Sequence, residues 1–363
     1  MVEQGLRLTV YLGERDRSSG GLLAAGLIDL FERHGVRTSV LLRGIEGFGL
    51  RHRVQSDRLL SLSEDLPIVA VAVDRPERIE ATLADVERLT HHGLITLERV
   101  GLLRPGGDLA ALAPAPGASR LTVNVGRGHR VRGRPAHLAV VECLHGHGLD
   151  GASVLVGLDG MDEGRRRRAR LLENNRQVPL VIDGVGRSER VLSAAVGIAA
   201  MLPAASMALE RVTVCKRDGV RLSGLPPSPA EESGGLSYWQ KVVVQAGEQS
   251  RHESELLHGA LVRRLRAEGA AGATTLRGHW GFYGEHRPHG ERFWSITRQV
   301  PALTVVLDTP ANMRRWFDIV DEMTAHTGLV TCEHVPALRA SGPDVVHGGL
   351  RLAAAAGEFP QKL

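Results

Sequence analysis

The chain is short of lysine, aromatic residues and cysteine. Lys216, Lys241 and Lys362 are the only lysines among 45 basic residues. Arginine stays charged at every accessible pH, so it lifts the isoelectric point to about 9.3 although the net charge is only +4. With abundant Ala and Gly, that balance reads as a compositional habit rather than a nucleic-acid footprint. Aromatics make up 4% of the chain, so the cores must be aliphatic. Cys143, Cys215 and Cys332 are odd in number and share no CxxC or CxxH spacing. This points to a reducing compartment and excludes a disulfide scaffold and a structural zinc site. No basic segment followed by an apolar one opens the chain, so no secretory signal is visible. The longest mostly apolar stretch, 191–209, contains Pro203 and two serines and reads as a buried helix, not a membrane span. The expectation is a cytoplasmic protein. No GxSxG, HExxH or P-loop is present, so no catalytic motif advertises itself.

What is present is repetition. The chain has 363 residues with 43% hydrophobic and 24% charged, a folded composition of two or three domains by length. Gly13, Gly35, Gly44 and Gly47 recur as Gly126, Gly148, Gly157 and Gly160, and again as Gly247, Gly269, Gly278 and Gly281, with spacings of 22, 9 and 3 in every copy. A proline follows each ladder (Pro67, Pro179, Pro301), and then a closing strand: LITLERV, MALERVTV and LVTCEHV. Three homologous units follow from this.

Each unit opens with an alternating strand and continues with a helix whose apolar residues fall at helical spacing, Leu23, Leu27, Leu30 and Phe31 in the first. Gly35, Gly148 and Gly269 sit where a helix C-cap needs a left-handed residue. Asp74-Arg75-Pro76 and Asp308-Thr309-Pro310 mark the second helix, with Pro in its first turn. The order is β-α-β-β-α-β, an α+β fold of three tandem ferredoxin-like units. The unit bounds are 1–104, 119–216 and 237–338, with Pro/Gly/Ala/Ser-rich linkers at 105–118 and 217–236 and a weakly patterned tail at 339–363. Packing the three units into one ring covers the open sheet faces that such small units leave.

LRLTVYLGERD, RGIEGFG (43–49), LSEDLPIVAVAVD (62–74) and GLITLERV resemble the PII-like proteins, in particular domain-of-unknown-function family number 190. The likeness covers nearly all of 6–100, extends well to 237–338 with LRGHWGFYG in place of LRGIEGFG, and persists in the middle unit mainly as spacing. It implies trimers of ferredoxin-like subunits, here an intramolecular pseudo-trimer. It also implies a non-catalytic sensor without a cofactor. Such a sensor would bind a small anionic effector, typically an adenine nucleotide, in clefts between units. The loop between the second and third strands would signal to a target protein, a membrane transporter being one candidate. No nucleic-acid partner is expected.

The residues fit an anion site. Arg43 at a strand end, with Gly44, Gly47, Phe48 and Gly49, offers a charged fork beside approachable backbone N–H groups, and Arg277, Gly278, Gly281, Phe282 and Gly284 repeat it. The rival reading is that the glycines only permit a tight strand exit. Arg51, His52, Arg53 and Arg58 make the first loop positive. The middle unit has Val156 in place of the arginine and a basic run, Arg165–Arg168, that reads as a solvated loop. The second unit has no aromatic residue, and the third holds most of them, including every Trp. His279, His286, His289 and Glu291 raise a metal-binding alternative, and Trp280, Phe282, Tyr283 and Trp294 among arginines raise single-stranded nucleic-acid stacking. An enzyme would need a site the sequence does not show. The adjacent carboxylates of Ser63-Glu64-Asp65 read as turn and capping groups.

Overall fold

The computed structural model describes residues 2–18, 20–49, 55–56, 65–103, 107, 109, 112–168, 178–227, 238–284, 286–290, 300–341 and 346–350. The first-loop residues Arg51, His52, Arg53 and Arg58, the pair Ser63-Glu64, and Glu291 and Trp294 lie outside them.

Alternating apolar residues build the first unit as β1 (Val2–Gly13), α1 (Leu23–Arg33), β2 (Thr38–Phe48), β3 (Pro67–Asp74), α2 (Pro76–Leu89) and β4 (His92–Leu103). The second contains β5 (Ala118–Gly126), α3 (Ala136–Gly146), β6 (Gly151–Val156), β7 (Asp159–Asp162), β8 (Arg165–Arg168), β9 (Pro179–Arg187), α4 (Ser188–Met201) and β10 (Ser206–Arg217). The third contains β11 (Tyr238–Gly247), α5 (Leu257–Ala267), β12 (Ala273–Arg277), β13 (Trp280–Tyr283), β14 (Pro301–Asp308), α6 (Pro310–Met323) and β15 (Leu329–Ser341), followed by β16 (Val346–Gly348). Antiparallel pairing orders the three sheets β4-β1-β3-β2, β10-β5-β9-β6 and β15-β11-β14-β12. Both helices of each unit cover one face, and each unit has its own core, largely aliphatic in the first two and joined by Trp316 and Phe317 in the third.

The start signals work as the sequence predicts. Pro76 and Pro310 occupy the first turn of α2 and α6, and Asp74 and Asp308 each accept the next residue's backbone N–H. Gly35 and Gly148, at φ of +66° and +69°, close α1 and α3 in the left-handed conformation.

The edges and ends of the sheets are paired between units, in two closed circuits. The second half of β2 pairs with β12 of the third unit, β13 pairs with β6 of the second, and β7 pairs with the first half of β2. Separately, the end of β4 pairs with the start of β10, the end of β10 with the start of β15, and the end of β15 with the start of β4. Each circuit visits all three units and returns to its origin.

These seams correct several expectations. The closing strands are longer than LITLERV and LVTCEHV because their far halves serve the next unit. Residues 339–341 of the tail belong to β15, and β16 pairs back onto it. The second linker begins with a hairpin in which Val220 and Arg221 pair with Arg217 and Lys216. Arg165–Arg168 form strand β8, paired with β7, instead of a solvated loop. Arg166 holds this hairpin to α1, lying 2.6 Å from Asp29 and 3.0 Å from Glu32 while binding Asp159 at 2.8 Å. No helix among the described residues is long and apolar enough to cross a membrane.

Candidate functional site

The ladder residues lie at the seams. A Cβ on Gly47 would stand 2.6 Å from the carbonyl oxygen of Ala273 in the third unit. On Gly160 it would stand 2.2 Å from that of Ser39, and on Gly281 2.2 Å from that of Ala152. Each of these acceptors lies four residues beyond its unit's helix-capping glycine, so one contact is written three times. The preceding glycines, Gly44, Gly157 and Gly278, make room for Pro67, Pro179 and Pro301 of their own units.

Arg43 and Arg277 have partners inside the chain. Arg43 donates to Glu14 at 2.8 Å, and Arg277 pairs with the buried Glu248. The second unit carries Val156 and Arg127 in these two slots, so arginine and acid are lost together. Arg43 is not at a strand end, because β2 runs on through the glycines to reach the third unit. Phe48 and Phe282, 3% and 0% exposed, fill the cores of the third and second units respectively, as knobs from a neighbour rather than ligand-facing groups. Each such burial contributes about 1.5–3 kcal/mol to the seam. Gly49 has open space around it, and Gly284 stands against the Asp218 carboxylate.

The histidines do not converge. The His279 ring lies 5.8 Å from that of His137, whereas the His286 ring packs on Tyr283 at 4.9 Å. Burial, then His279 and nearby arginines, push His137 down to about 4, so it is neutral near pH 7. Phe282 and Tyr283 are buried, and Trp280 is half-buried against the core of the second unit. Asp65 accepts the Arg15 backbone N–H at 2.6 Å, the capping role read for it.

Between the second and third units lies a cleft of about 840 Å³, lined by His145, Asp150, Arg190, Arg217, Gly284 and His286 among others. Arg217 donates to Asp150 at 2.5 Å and Arg190 to the Gly148 carbonyl at 2.8 Å. The exposed side chains of Val220 and Leu222 line the same cleft. Of the ten candidate site residues named from sequence, only Gly284 lines it, with the ladder glycine Gly148 on the other side.

The most ordered polar feature is one that sequence reading missed. Arg7, Arg120 and Lys241 occupy one slot, six residues before the first ladder glycine, and Glu98, Glu210 and Glu333 occupy one slot in the closing strands. Each cation faces its own unit's glutamate across the sheet. Each also reaches the next unit's glutamate: Arg7 to Glu210 at 2.8 Å, Arg120 to Glu333 at 2.6 Å and Lys241 to Glu98 at 2.8 Å. The contacts within units are 3.9, 3.5 and 2.9 Å. Six buried charges thus alternate around the junction of the three units. The carboxylates approach within 4.8 Å of one another, but the three cations lie between them and already neutralise them. Burial, only partly offset by Arg7, pushes Glu210 up to about 7. For Glu333 the same burial is outweighed by Arg120 and Lys241, which hold it at about 2. The signal was in the sequence: LERV, LERV and CEHV at the same offset as a lone cation three times over.

A cavity of about 100 Å³ adjoins this ring, walled by Val40, Leu42, Val69, Leu155, Val181, Leu276 and Leu303. Its polar lining includes the three ring cations, Thr9, Tyr11, Thr122, Asn124 and Asp183.

All three units match the sequence profile of a family described as "Uncharacterized ACR, COG1993" (DUF190), over residues 5–102, 118–214 and 239–337. A UPF0166 protein of Aquifex aeolicus (strain VF5) is 27% identical over 96 residues, covering 26% of this chain and 90% of the relative. A UPF0166 protein of Methanocaldococcus jannaschii is 31% identical over 91 residues, covering 25% and 83%. Each of these relatives matches about one unit. The crystal structure of aspartate kinase from Synechocystis aligns with 94% of this chain and 53% of its own, at 12% identity and a TM-score of 0.24, which carries no argument.

Proposed function

Because the chain belongs to the DUF190 family, we propose that it works as a PII-like regulator: three ferredoxin-like units in one intramolecular pseudo-trimer, binding a small anionic effector between units without turning it over. The observation that carries this reading is the cleft between the second and third units. It is roomy enough for a nucleotide, and the guanidinium groups of Arg190 and Arg217 line it beside Asp150 and Asp218. Adenine nucleotides are the effector class the family resemblance suggests, and guanidinium groups suit phosphate through paired N–H donors. Arg43 and Arg277 lie outside this cleft and pair with glutamates, as Arg217 pairs with Asp150 inside it. The target would be a protein that reads the loop after the second strand.

The test is a thermal-shift screen of ATP, ADP, AMP and inorganic phosphate on the full chain, followed by titration of Arg190→Ala, Arg217→Ala and Arg43→Ala. A nucleotide should raise the melting temperature and be recovered unchanged. Loss of either cleft arginine should weaken binding about ten- to hundredfold. Arg43→Ala should bind like the wild type. Steady hydrolysis, or stabilisation by none of the four, would overturn the reading.

A further inference from the structure

Each unit sets its first helix against a strand of the next unit, so the three seams compare slot by slot. Between the third and first units the buried His258 meets the buried Glu46, Nδ1 to Oε2 at 3.1 Å. Between the first and second, the same two slots hold Ala24 and Asp159, and Arg166 binds Asp159. Between the second and third they hold His137 and Trp280. The histidine is kept and its acid is gone. His137 is 8% exposed, and its Nδ1 has no hydrogen-bond partner among the described residues. Beside it lies the His279 ring, at 5.8 Å.

A second acid is missing at the same seam. The slot after the first ladder glycine holds Glu14 and Glu248 in the first and third units, where they take Arg43 and Arg277. In the middle unit it holds Arg127, with Val156 in the arginine's place. Arg127 is exposed, and no carboxylate among the described residues pairs with it. Its hairpin, 127–135, carries Arg127, His129, Arg130, Arg132 and Arg134 and no acid, whereas 14–22 carries Glu14 and Asp16 and 248–256 carries Glu248, Glu253 and Glu255. Arg134 is taken by Glu142, and Asp162, the acid beside Gly126, lies in the field of His129 and Arg167. Besides burial, the groups that act on His137 are His279, Arg127 and Arg130, all of them basic. A buried nitrogen left without a partner is costly, and two seams avoid that cost with a carboxylate from the chain. The third leaves the place of both carboxylates to an anion from outside.

We propose that this seam binds one phosphate group, as the free ion or as the head of a phosphomonoester, between the Arg127 guanidinium and the imidazoles of His137 and His279. A guanidinium offers paired N–H donors and each neutral imidazole offers one more, so the donors come from three directions. A tetrahedral oxyanion has oxygens for all of them, whereas a carboxylate has two in one plane. The site stands at the Trp280 end of β13, and the cleft of Arg190 and Arg217 at the Gly284 end, so the proposal does not rest on that cleft.

The experiment is calorimetric titration, at constant ionic strength, of inorganic phosphate, methyl phosphate and acetate into the full chain carrying Arg217→Ala, which removes the cleft's contribution. Inorganic phosphate should bind at least about tenfold more tightly than acetate. Adding Arg127→Glu, the residue of the other two units, should weaken phosphate about ten- to hundredfold. Arg127→Glu with Val156→Arg rebuilds the internal pair of those units and should do the same without lowering the melting temperature. His137→Ala, the residue of the first unit, should weaken phosphate about tenfold. Thermal melting checks that each variant folds. Binding of methyl phosphate beside the free ion marks a site open to an ester, and its exclusion a site for the ion alone; either satisfies the proposal. No binding of phosphate, acetate binding equally well, or Arg127→Glu and His137→Ala chains that bind phosphate like their parent would overturn it.

Discussion

At the residue scale, the glycine ladder is an account of clearance. Gly160 stands where β7 crosses the backbone of β2, and its missing side chain is what lets a carbonyl approach. Nothing flexible is there to yield: the obstructing atom is backbone. Gly160→Ala should therefore destabilise the chain by about 1–3 kcal/mol in urea unfolding, the ordinary cost of overpacking. Gly49→Ala, with nothing within 4 Å of the new methyl group, should stay within about 0.5 kcal/mol of the wild type. Equal effects at the two positions would show that the ladder is not a seam. The glycines were legible in the sequence as a repeat, whereas their purpose was not. Spacing records that a residue recurs, but the carbonyl that excludes its side chain belongs to a different unit more than a hundred residues away.

At the element scale, strand order and helix caps were legible because they depend on neighbours in sequence: alternation, Pro in the first turn, a left-handed Gly at the end. Strands that leave their own unit were read too short or as loops. Arg165–Arg168 looks like a solvated charge run until Asp29 and Glu32 of α1 supply its partners. The charge ring was hidden for the same reason. Its six residues come from six strands, and each sits in the polar phase of an alternating strand, where spacing alone does not tell a buried ion pair from a solvated one. The ring has a pH consequence whose sign follows from Glu210. Its native value, about 7, is above the ordinary carboxylate value of about 4.3, so the folded chain holds the proton more tightly than the unfolded one. This carboxyl makes stability fall as pH rises from about 4.3 to 7, with no further change above. Glu333, held at about 2, acts oppositely at acid pH: its contribution is present above about 4.3 and is lost as pH falls toward 2. Glu210→Gln, a mimic of the protonated form, should match the wild type near pH 4.5. It should gain on the wild type through pH 7 in unfolding titrations. A stability difference that does not change with pH would contradict this.

At the scale of the whole molecule, the three units differ most where they meet. The seams are repeated faithfully, but the groups at the junction and the aromatics are not. The middle unit, which looks degenerate by sequence, supplies Arg120, Glu210 and Asp183 to the junction and Gly160 to a seam. Joining the units in one chain keeps the ring closed while freeing each copy to carry its own side chain at the centre. All of this rests on ring closure within a single chain, and above all on the return of β15 to β4. Small-angle scattering on the chromatographically separated chain tests that most directly. The account predicts one chain of 39.1 kDa with a radius of gyration of about 21 Å, as for any compact particle of this length. A radius well above that, as three separate beads would give, or a mass of two or three chains, as exchanged units would give, would contradict it.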